Sequence, residues 1–496
     1  MTAQLRRVAG LLFALFAAVF VNLNYLQVLR AEDLSNDQRN SRVIIREYEI
    51  ERGALLAGAG PQVAPVAFSE ETPGPLRYLR RYPDGPLYAH VTGFYSVVYG
   101  RSGLEQAFNP YLVGSAPETF ARNLGDLLSG RQRQGDDVAT TVRPQVQQAA
   151  RDALGARRGA VVALDPRDGA LLALWSSPSY DPNPLASHAR DTVVADWERT
   201  EADPAKPRLN RALRQLYPPG STFKIVTAAA ALEAGTGPAH TFPDPPALDL
   251  PLTTATISNF GGGTCNGGRP ITLAKALAVS CNTTFAQLGL QLGAERLVRQ
   301  AEAFGLNHEW EFQLPLEPSR IPADLDAPST AQSAIGQRDV RVTPLQMAMI
   351  AGAVGNNGVL MTPRLVNQVT DPAGRTIVTY GPQPLLLPGQ TNAQALSPQN
   401  AGILRELMVG VVEAGSGRNA AIPGVRVAGK TGTAQTGSGR APTVWFVGFA
   451  PADDPRVAVA VVIEEGGDVG SEATGGRLAA PVARAVMQAA LAEAPR

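Results

Sequence analysis

The run of residues from Val8 to Leu29 contains no charged side chain, and this feature limits the organisation of the chain most strongly. As a helix, the run would be about 33 Å long, which is enough to cross the hydrocarbon core of a membrane. Arg6 and Arg7 precede it, and basic flanking residues stay in the cytoplasm. The sequence therefore predicts a cytoplasmic tail (1–7), a single-pass anchor (8–29) and an extracytoplasmic remainder. A cleaved signal peptide is the alternative, but no small-x-small cleavage site follows.

Charge and histidine content exclude several functions. Of the 496 residues, 44 are Lys or Arg and 44 are Asp or Glu, and this balance argues against nucleic acid as a partner. The four histidines are scattered without ligand-like spacing, so we expect neither a metal site nor a histidine-based triad. The length alone suggests two or three domains.

The only two cysteines are Cys265 and Cys281. An extracytoplasmic location permits a disulfide between them, and the short loop it closes would contribute roughly 3 kcal/mol. Two unpaired buried thiols are the alternative at this stage.

Residues 30–137 are typical of a small, mixed, β-rich module. Apolar and charged residues alternate around Val43–Ile50, which predicts a strand, and residues 57–65 predict a hairpin or loop. Aromatic residues and glycines mix over 85–114, as in a compact β-rich unit. The polar segment 129–137 predicts a connector, so we place the domain boundary between 137 and 138.

Residues 138–496 combine strands at both ends with helices between them. Residues 143–159 predict a helix, and 160–177 predict a hairpin that turns at Asp168–Gly169. Residues 221–305 are mainly helical in pattern, with Gly235 as a helix cap. Two apolar runs over 443–465 are joined by a turn at 453–455, and 477–494 predicts a helix that tolerates Pro481 only near its first turn. The pattern predicts an α+β domain with an antiparallel sheet packed against helices.

Ser221 opens an alanine-rich, apolar helical stretch, and Lys224 follows three residues later. Positions i and i+3 share a helix face, so the two side chains lie side by side. A serine hydroxyl needs a base, and a lysine is that base only when burial or a nearby positive charge lowers its pKa. The pattern favours a nucleophilic serine, although S-x-x-K alone often occurs by chance.

Two further stretches follow in order: Ser280-Cys281-Asn282, and then Lys430-Thr431-Gly432-Thr433. S-x-x-K, S-x-N and K-T-G are the motifs of penicillin-binding proteins and class A β-lactamases. The expected roles are a proton relay for Ser280, orientation of Lys224 and substrate for Asn282, and a second cation from Lys430. Thr431 and Thr433 would bind a substrate carboxylate, and Gly432 would let a substrate backbone approach. The N–H groups of Ser221 and Thr433 would form the oxyanion hole.

The sequence resembles the class B penicillin-binding proteins, the monofunctional cell-wall transpeptidases, over nearly its whole length after the anchor. Four further stretches carry the resemblance: Arg52-Gly53, residues 100–112, residues 333–348 (with Arg338 where the family has a glycine) and residues 445–451. The short N-terminal module most resembles the penicillin-binding protein A type, which is linked to septal wall synthesis.

The resemblance implies a serine transpeptidase domain and its reaction. Ser221 would attack the penultimate D-alanine of a D-Ala-D-Ala stem peptide, and the acyl group would pass to an amine on a neighbouring stem. β-Lactams would acylate the same serine, and no metal or organic cofactor would be required. The N-terminal module is too small to be a glycosyltransferase, so we expect a glycosyltransferase partner and division proteins.

Four alternatives differ in chemistry. A class A β-lactamase needs a glutamate in E-x-x-L-N, but the nearest stretch here has Ala303 at that position. A D,D-carboxypeptidase would use water as the acceptor with the same motifs. A β-lactam sensor would need cytoplasmic machinery, and a division scaffold would not need the full set of motifs.

Overall fold

A computed structural model describes residues 2–30, 47–58, 63–74, 76–119, 122, 125, 128–130, 132–435 and 441–493. The chain begins with helix α1 (Thr2–Asn24), which continues as a π-helical turn over Tyr25–Leu29. Among the described residues, the segment Arg6–Leu29 is the one helix long and apolar enough to span a membrane. None of this segment is buried against the rest of the chain, as an anchor in lipid requires.

The N-terminal module contains short strands and short helices in alternation. Its elements are β1 (Leu55–Ala57), β2 (Ala64–Glu71), β3 (Tyr78–Arg81), α2 (Gly85–Thr92), β4 (Tyr95–Ser96), β5 (Gly100–Arg101), α3 (Gly103–Ala107), α4 (Asn109–Leu112) and β6 (Asp137–Thr140). The stretch 85–114 is thus more helical than its composition predicts. Pro86 lies in the first turn of α2, where a proline is favourable, and Gly93 ends that helix with a φ of 72°.

A buried charge cluster holds the centre of this module. The Glu105 carboxylate accepts bonds from Arg52 Nε at 2.6 Å and from Arg80 Nε at 2.7 Å. All three side chains are almost completely buried. Burial raises the pKa of Glu105, but the two guanidinium groups outweigh it and the net shift is downward. The carboxylate therefore stays ionised and binds β3 to α3.

The sheet of the N-terminal module has six strands in the order β14-β13-β6-β1-β2-β3. Strands β1 and β6 run parallel, whereas the other neighbours are antiparallel. The last two strands, β13 (Val366–Thr370) and β14 (Thr376–Thr379), come from far along the chain. Because β6 contains residues 137–140 and pairs with β13, the sheet extends across the predicted boundary at 137, and that boundary stays a prediction.

The larger part of the chain surrounds a second sheet. Besides β13 and β14, the strands in this part of the chain are β7 (Gly159–Leu164), β8 (Leu171–Ser177), β9 (Thr241–Phe242), β10 (Ala247–Asp249), β11 (Thr256–Ser258), β12 (Ile271–Thr272), β15 (Ala428–Ala434), β16 (Thr443–Ala450) and β17 (Val457–Ile463). Its helices are α5 (Pro144–Leu154), α6 (Asn183–Ala186), α7 (Arg190–Ala202), α8 (Arg211–Arg214), α9 (Lys224–Glu233), α10 (Leu273–Val279), α11 (Asn282–Leu292), α12 (Ala294–Ala303), α13 (Ala327–Ser333), α14 (Pro344–Gly355), α15 (Pro398–Glu413) and α16 (Gly475–Glu493).

The second sheet is antiparallel throughout, with five strands in the order β15-β16-β17-β7-β8. Every residue of β7, β8, β16 and β17 is buried, because helices pack on the sheet: α16 against β16 and β17, and α14 against β7, β16 and β17. Continuous apolar runs in these strands match this double coverage. The predicted α+β class, with an antiparallel sheet packed against helices, is confirmed.

Three local predictions need correction. Residues 47–50 form a turn, with Ile50 N bonded to Glu47 O, because Glu47 and Tyr48 are fixed by contacts with distant residues; residues 43–46 lie outside the described residues. Residues 241–272, within the segment predicted as mainly helical, contain four short strands. Pro481 lies in the second turn of α16, because that helix already begins at Gly475. Packing on the sheet maintains α16 despite the missing N–H.

Candidate active site

The turn that carries Ser221 lies between two other chain segments. Gly220–Phe223 forms a 3₁₀ turn, and α9 begins directly afterwards at Lys224. Gly220 has a φ of 53° and donates its N–H to Gly336 O at 2.9 Å. A Cβ on Gly220 would lie 2.9 Å from Thr433 O, so glycine lets the turn pack against β15. Ser221 itself is half-buried, whereas the three residues after it are buried.

Lys224 lies completely inside the protein and makes three bonds to the S-C-N segment. Its Nζ donates to Ser280 O at 2.8 Å, to Asn282 Oδ1 at 2.8 Å and to Ser280 Oγ at 3.4 Å. Burial lowers the pKa of Lys224 well below its ordinary value, and the charge of Lys430 lowers it further. Lys224 follows Ser221 by one 3₁₀ turn, and because side chains three residues apart eclipse in such a turn, the two residues share one face.

Ser280 and Asn282 lie at the junction of two helices. Ser280 follows α10 in the left-handed conformation, with φ 65° and ψ 41°, and Asn282 is the first residue of α11. A left-handed residue other than glycine costs roughly 1–2 kcal/mol, and such strain concentrates at functional sites. This sharp reversal directs both side chains towards Lys224.

Lys430 reaches the same serine from the sheet. Its Nζ donates to Ser280 Oγ at 2.8 Å and to Thr431 O at 3.0 Å. Burial lowers the pKa of Lys430 to about 7. The Ser280 hydroxyl therefore contacts two buried amines, one on α9 and one on β15, and such a hydroxyl can pass a proton between them.

The residues after Lys430 on β15 differ in their surroundings. The Thr431 hydroxyl is buried and lies 2.6 Å from the Ser416 hydroxyl. A Cβ on Gly432 would lie 2.9 Å from both Pro219 O and the Thr222 side chain. Gly432 is thus required because the Ser221 turn packs closely against it, in addition to any approach by a substrate backbone. Thr433 is half-buried and adjoins that turn through its carbonyl.

Cys265 and Cys281 form a disulfide, with an S–S distance of 2.18 Å and a Cα–Cα distance of 5.9 Å. The middle residue of S-C-N is thereby bonded to the glycine-rich loop between β11 and β12. Among the described residues, Asp244 and these two cysteines form the one cluster with metal-ligand proximity. The sulfurs are bonded to each other, and the Asp244 carboxylate accepts the N–H groups of Cys265, Asn266 and Gly268, so the cluster is explained without a metal.

The structure brings Ser221, Lys224, Ser280, Asn282 and the K-T-G strand together from three distant parts of the chain. Sequence reasoning missed Ser416, which contacts Thr431, and Asn259, which bonds the backbone of Asn282. Neither residue lies in a motif. Only knowledge of which distant segments pack together could have identified them.

Comparison with known sequences places this geometry in a family. Residues 159–488 match the penicillin-binding protein transpeptidase domain, and residues 52–138 match the penicillin-binding protein A dimerisation domain. The chain belongs to the penicillin-binding protein transpeptidase family. It is therefore a serine-type D,D-transpeptidase of the penicillin-binding class, and the predicted family and enzyme class are confirmed.

Full-length relatives share this organisation. The chain is 45% identical to the peptidoglycan D,D-transpeptidase PbpA of Mycolicibacterium smegmatis over 502 residues, which cover 99% of this chain and 100% of that protein. It is 43% identical to the peptidoglycan D,D-transpeptidase PbpA of Mycobacterium tuberculosis over 504 residues, which cover 100% of both chains. The predicted likeness to the penicillin-binding protein A type is thus confirmed.

Solved structures agree with the fold. The ceftriaxone acyl-enzyme complex of penicillin-binding protein A from M. tuberculosis superimposes with a TM-score of 0.86 at 43% identity, covering 90% of this chain and 100% of that one. The penicillin G acyl-enzyme complex of the same protein gives a TM-score of 0.83 at 43% identity, covering 89% and 100%. The similarity thus extends to proteins that form covalent complexes with β-lactams.

Proposed function

We propose that this penicillin-binding protein cross-links peptidoglycan stem peptides through an acyl-enzyme on Ser221. The observation that carries the proposal is the Ser280 hydroxyl, which contacts the buried amines of both Lys224 and Lys430. Lys224 follows Ser221 by one helical turn. An amine that is buried beside a second cation is neutral more readily than an exposed lysine, so it can act as a base at ordinary pH.

In the acylation step, Lys224 Nζ takes the proton of Ser221 as Oγ bonds to the carbonyl carbon of the penultimate D-alanine. The C–N bond to the terminal D-alanine then breaks, and the leaving amine receives a proton from Lys224 through Ser280. The N–H groups of Ser221 and Thr433 stabilise the oxyanion. In the second step, an amine of another stem attacks the ester carbonyl and gives up a proton to Lys224, the C–O bond to Ser221 breaks, and Lys224 returns that proton to Ser221 Oγ.

Substrate binding is assigned to β15 and to Asn282. Thr431 and Thr433 would bind the terminal carboxylate of the donor stem, while the backbone of β15 near Gly432 would pair with the peptide. Asn282 already bonds Lys224 through Oδ1, so its role is to orient the base as well as the substrate amide. A β-lactam would occupy the same space and acylate Ser221.

We further propose that α1 anchors the protein with residues 1–7 in the cytoplasm and the catalytic domain outside, in septal wall synthesis. Arg6 and Arg7 before the apolar span support this orientation. A glycosyltransferase and division proteins would then be its partners. A C-terminal alkaline phosphatase fusion should be active only if the catalytic domain is exported, and a cytoplasmic signal would contradict the orientation.

A thioester donor that mimics the terminal D-alanyl group tests the reaction type. The full-length protein in detergent should release thiol and, with a D-amino acid present, should form the acceptor-linked product in proportion to acceptor concentration. Product from water alone at every acceptor concentration would instead assign a carboxypeptidase. Ser221→Ala should abolish both products, whereas Ser115→Ala, an exposed serine in the N-terminal module, should change neither.

A further inference from the structure

Helix α11 begins at Asn282, and the N–H groups of its first turn need acceptors from outside the helix. The residue before it, Cys281, has no side-chain oxygen and makes no capping bond, and its sulfur is bonded to Cys265. Asn259 supplies the acceptor from 23 residues earlier: its Oδ1 accepts Asn282 N at 2.9 Å and Thr283 N at 3.1 Å. The cap of this helix is therefore provided by a different segment.

Both ends of the Asn259 amide are used. Its Nδ2 donates to Gly263 O at 3.0 Å and to the Thr283 hydroxyl at 3.3 Å. The bond to Gly263 closes a turn of three consecutive glycines, each with a φ near 76°. The amide is thus fixed in orientation, with its oxygen directed at the start of α11.

The neighbouring residue fixes the Asn282 side chain. Ser258 O accepts Asn282 Nδ2 at 3.0 Å, which leaves Asn282 Oδ1 facing Lys224 Nζ at 2.8 Å. Ser258 and Asn259 together therefore hold the backbone and the amide of the residue that bonds the base. The disulfide attaches the same loop to Cys281, between Ser280 and Asn282.

We infer that Asn259 is a positioning residue for acylation: it caps α11 so that Asn282 and Ser280 meet Lys224 in the correct geometry. It acts through Asn282, and it bonds neither lysine. This inference rests on the proposed function of Ser221 and Lys224. A purely stabilising cap would affect the unfolding temperature alone, whereas a positioning residue affects the acylation step and its pH dependence.

Two variants separate these roles when acylation by penicillin G is followed by intact mass on the full-length protein. Asn259→Ala removes the acceptor, and we expect the acylation rate constant to fall about 10- to 100-fold, with little change in penicillin affinity, because small displacements of reacting groups have effects of that size. The unfolding temperature should fall by no more than about 4 °C.

Asn259→Asp retains an acceptor that a helix N-terminus favours but loses the Nδ2 donor to Gly263 O, so its unfolding temperature should also fall by no more than about 4 °C. Its carboxylate would accept the backbone N–H of Asn282, the residue whose side chain bonds Lys224. This nearby negative charge would raise the pKa of Lys224. The acid limb of the acylation rate should then move about 0.5–1 pH unit upward. This shift is a readout that a merely structural cap would not produce.

Asn266→Ala is the matched control, because Asn266 lies on the same loop but bonds Lys275 and the carbonyls of Arg269 and Pro270. It should acylate within about twofold of wild type. Wild-type rates for Asn259→Ala, equal losses in both alanine variants, or an unmoved acid limb in Asn259→Asp would each overturn the inference. Failure of the proposed function would differ, since wild-type protein would then form no adduct on Ser221.

Discussion

Replacing Lys430 by methionine should raise the pKa of Lys224 and move acylation to higher pH. Both amines bond the same oxygen, Ser280 Oγ, at 3.4 Å and 2.8 Å, which limits the separation of the two nitrogens to about 6.2 Å. At an effective dielectric constant of about 20, a unit charge at that distance is worth about 2.7 kcal/mol, or about two pKa units. At this largest possible separation, a full charge on Lys430 lowers the pKa of Lys224 by about two units, and at any shorter separation it lowers the pKa by more.

The direction of the pH shift follows from the role of Lys224 as the base. Acylation requires neutral Lys224, and a higher pKa keeps it protonated to higher pH. The midpoint of the acid limb should therefore move upward in Lys430→Met, by about two units for a fully charged Lys430 at the largest possible separation. Burial alone lowers the pKa of Lys430 to about 7, so the charge that is removed acts mainly below neutral pH.

The assay is the second-order rate constant of penicillin G acylation, measured by intact mass from acid to alkaline pH. Lys275→Met removes the same charge from an exposed lysine on α10 and should leave the midpoint unchanged. A midpoint that stays in place or moves downward in Lys430→Met would refute the assignment of Lys224 as the base beside a second cation. A lower maximal rate alone would not, since Lys430 also bonds Ser280.

Two further predictions concern the N-terminal module. Glu105→Gln leaves two buried arginines without a counter-charge, so the free energy of unfolding in urea should fall by about 3–5 kcal/mol. Glu70→Gln, at an exposed ion pair, should lower it by about 0–1 kcal/mol. Equal losses in the two variants would contradict the stabilising role of the buried cluster. Burial lowers the pKa of His90 to about 4, below its unfolded value of 6.5, so stability should fall as pH drops through this window, by about 3 kcal/mol in total. Between pH 6.5 and 4, the wild type should lose more stability than His90→Gln, and the control His308→Gln should lose as much as the wild type. An equal loss in His90→Gln and the wild type would refute this reasoning.

Local patterns in the sequence predicted the central sheet and the motif residues. The runs in β16 and β17 are apolar at nearly every position, so their burial and their pairing through a short turn were predictable. Ser221 and Lys224 are separated by three residues, and their proximity follows from helical geometry. The chemistry of the trio then required Ser280 and Lys430 to meet them, although no local pattern fixes that meeting.

Non-local contacts explain what the sequence did not reveal. The pairing of β6 with β13 joins segments more than 220 residues apart, and no periodicity encodes a partner at that distance. Asn259 caps a helix that begins 23 residues later, so it resembles any loop asparagine in the sequence. Alternation predicted a strand through residue 50, but the Glu47 carboxylate bonds Arg101 and Asn109, and these bonds stabilise a turn.

Intact-mass measurement of the penicillin G adduct, followed by proteolysis, tests the central claim most directly. Wild-type protein should gain the mass of one penicillin G, and the modified peptide should contain Ser221. Ser221→Ala should unfold at a similar temperature and gain no mass, while Ser115→Ala should be modified as wild type. An adduct on Ser221→Ala, or one mapped to another residue, would contradict the account.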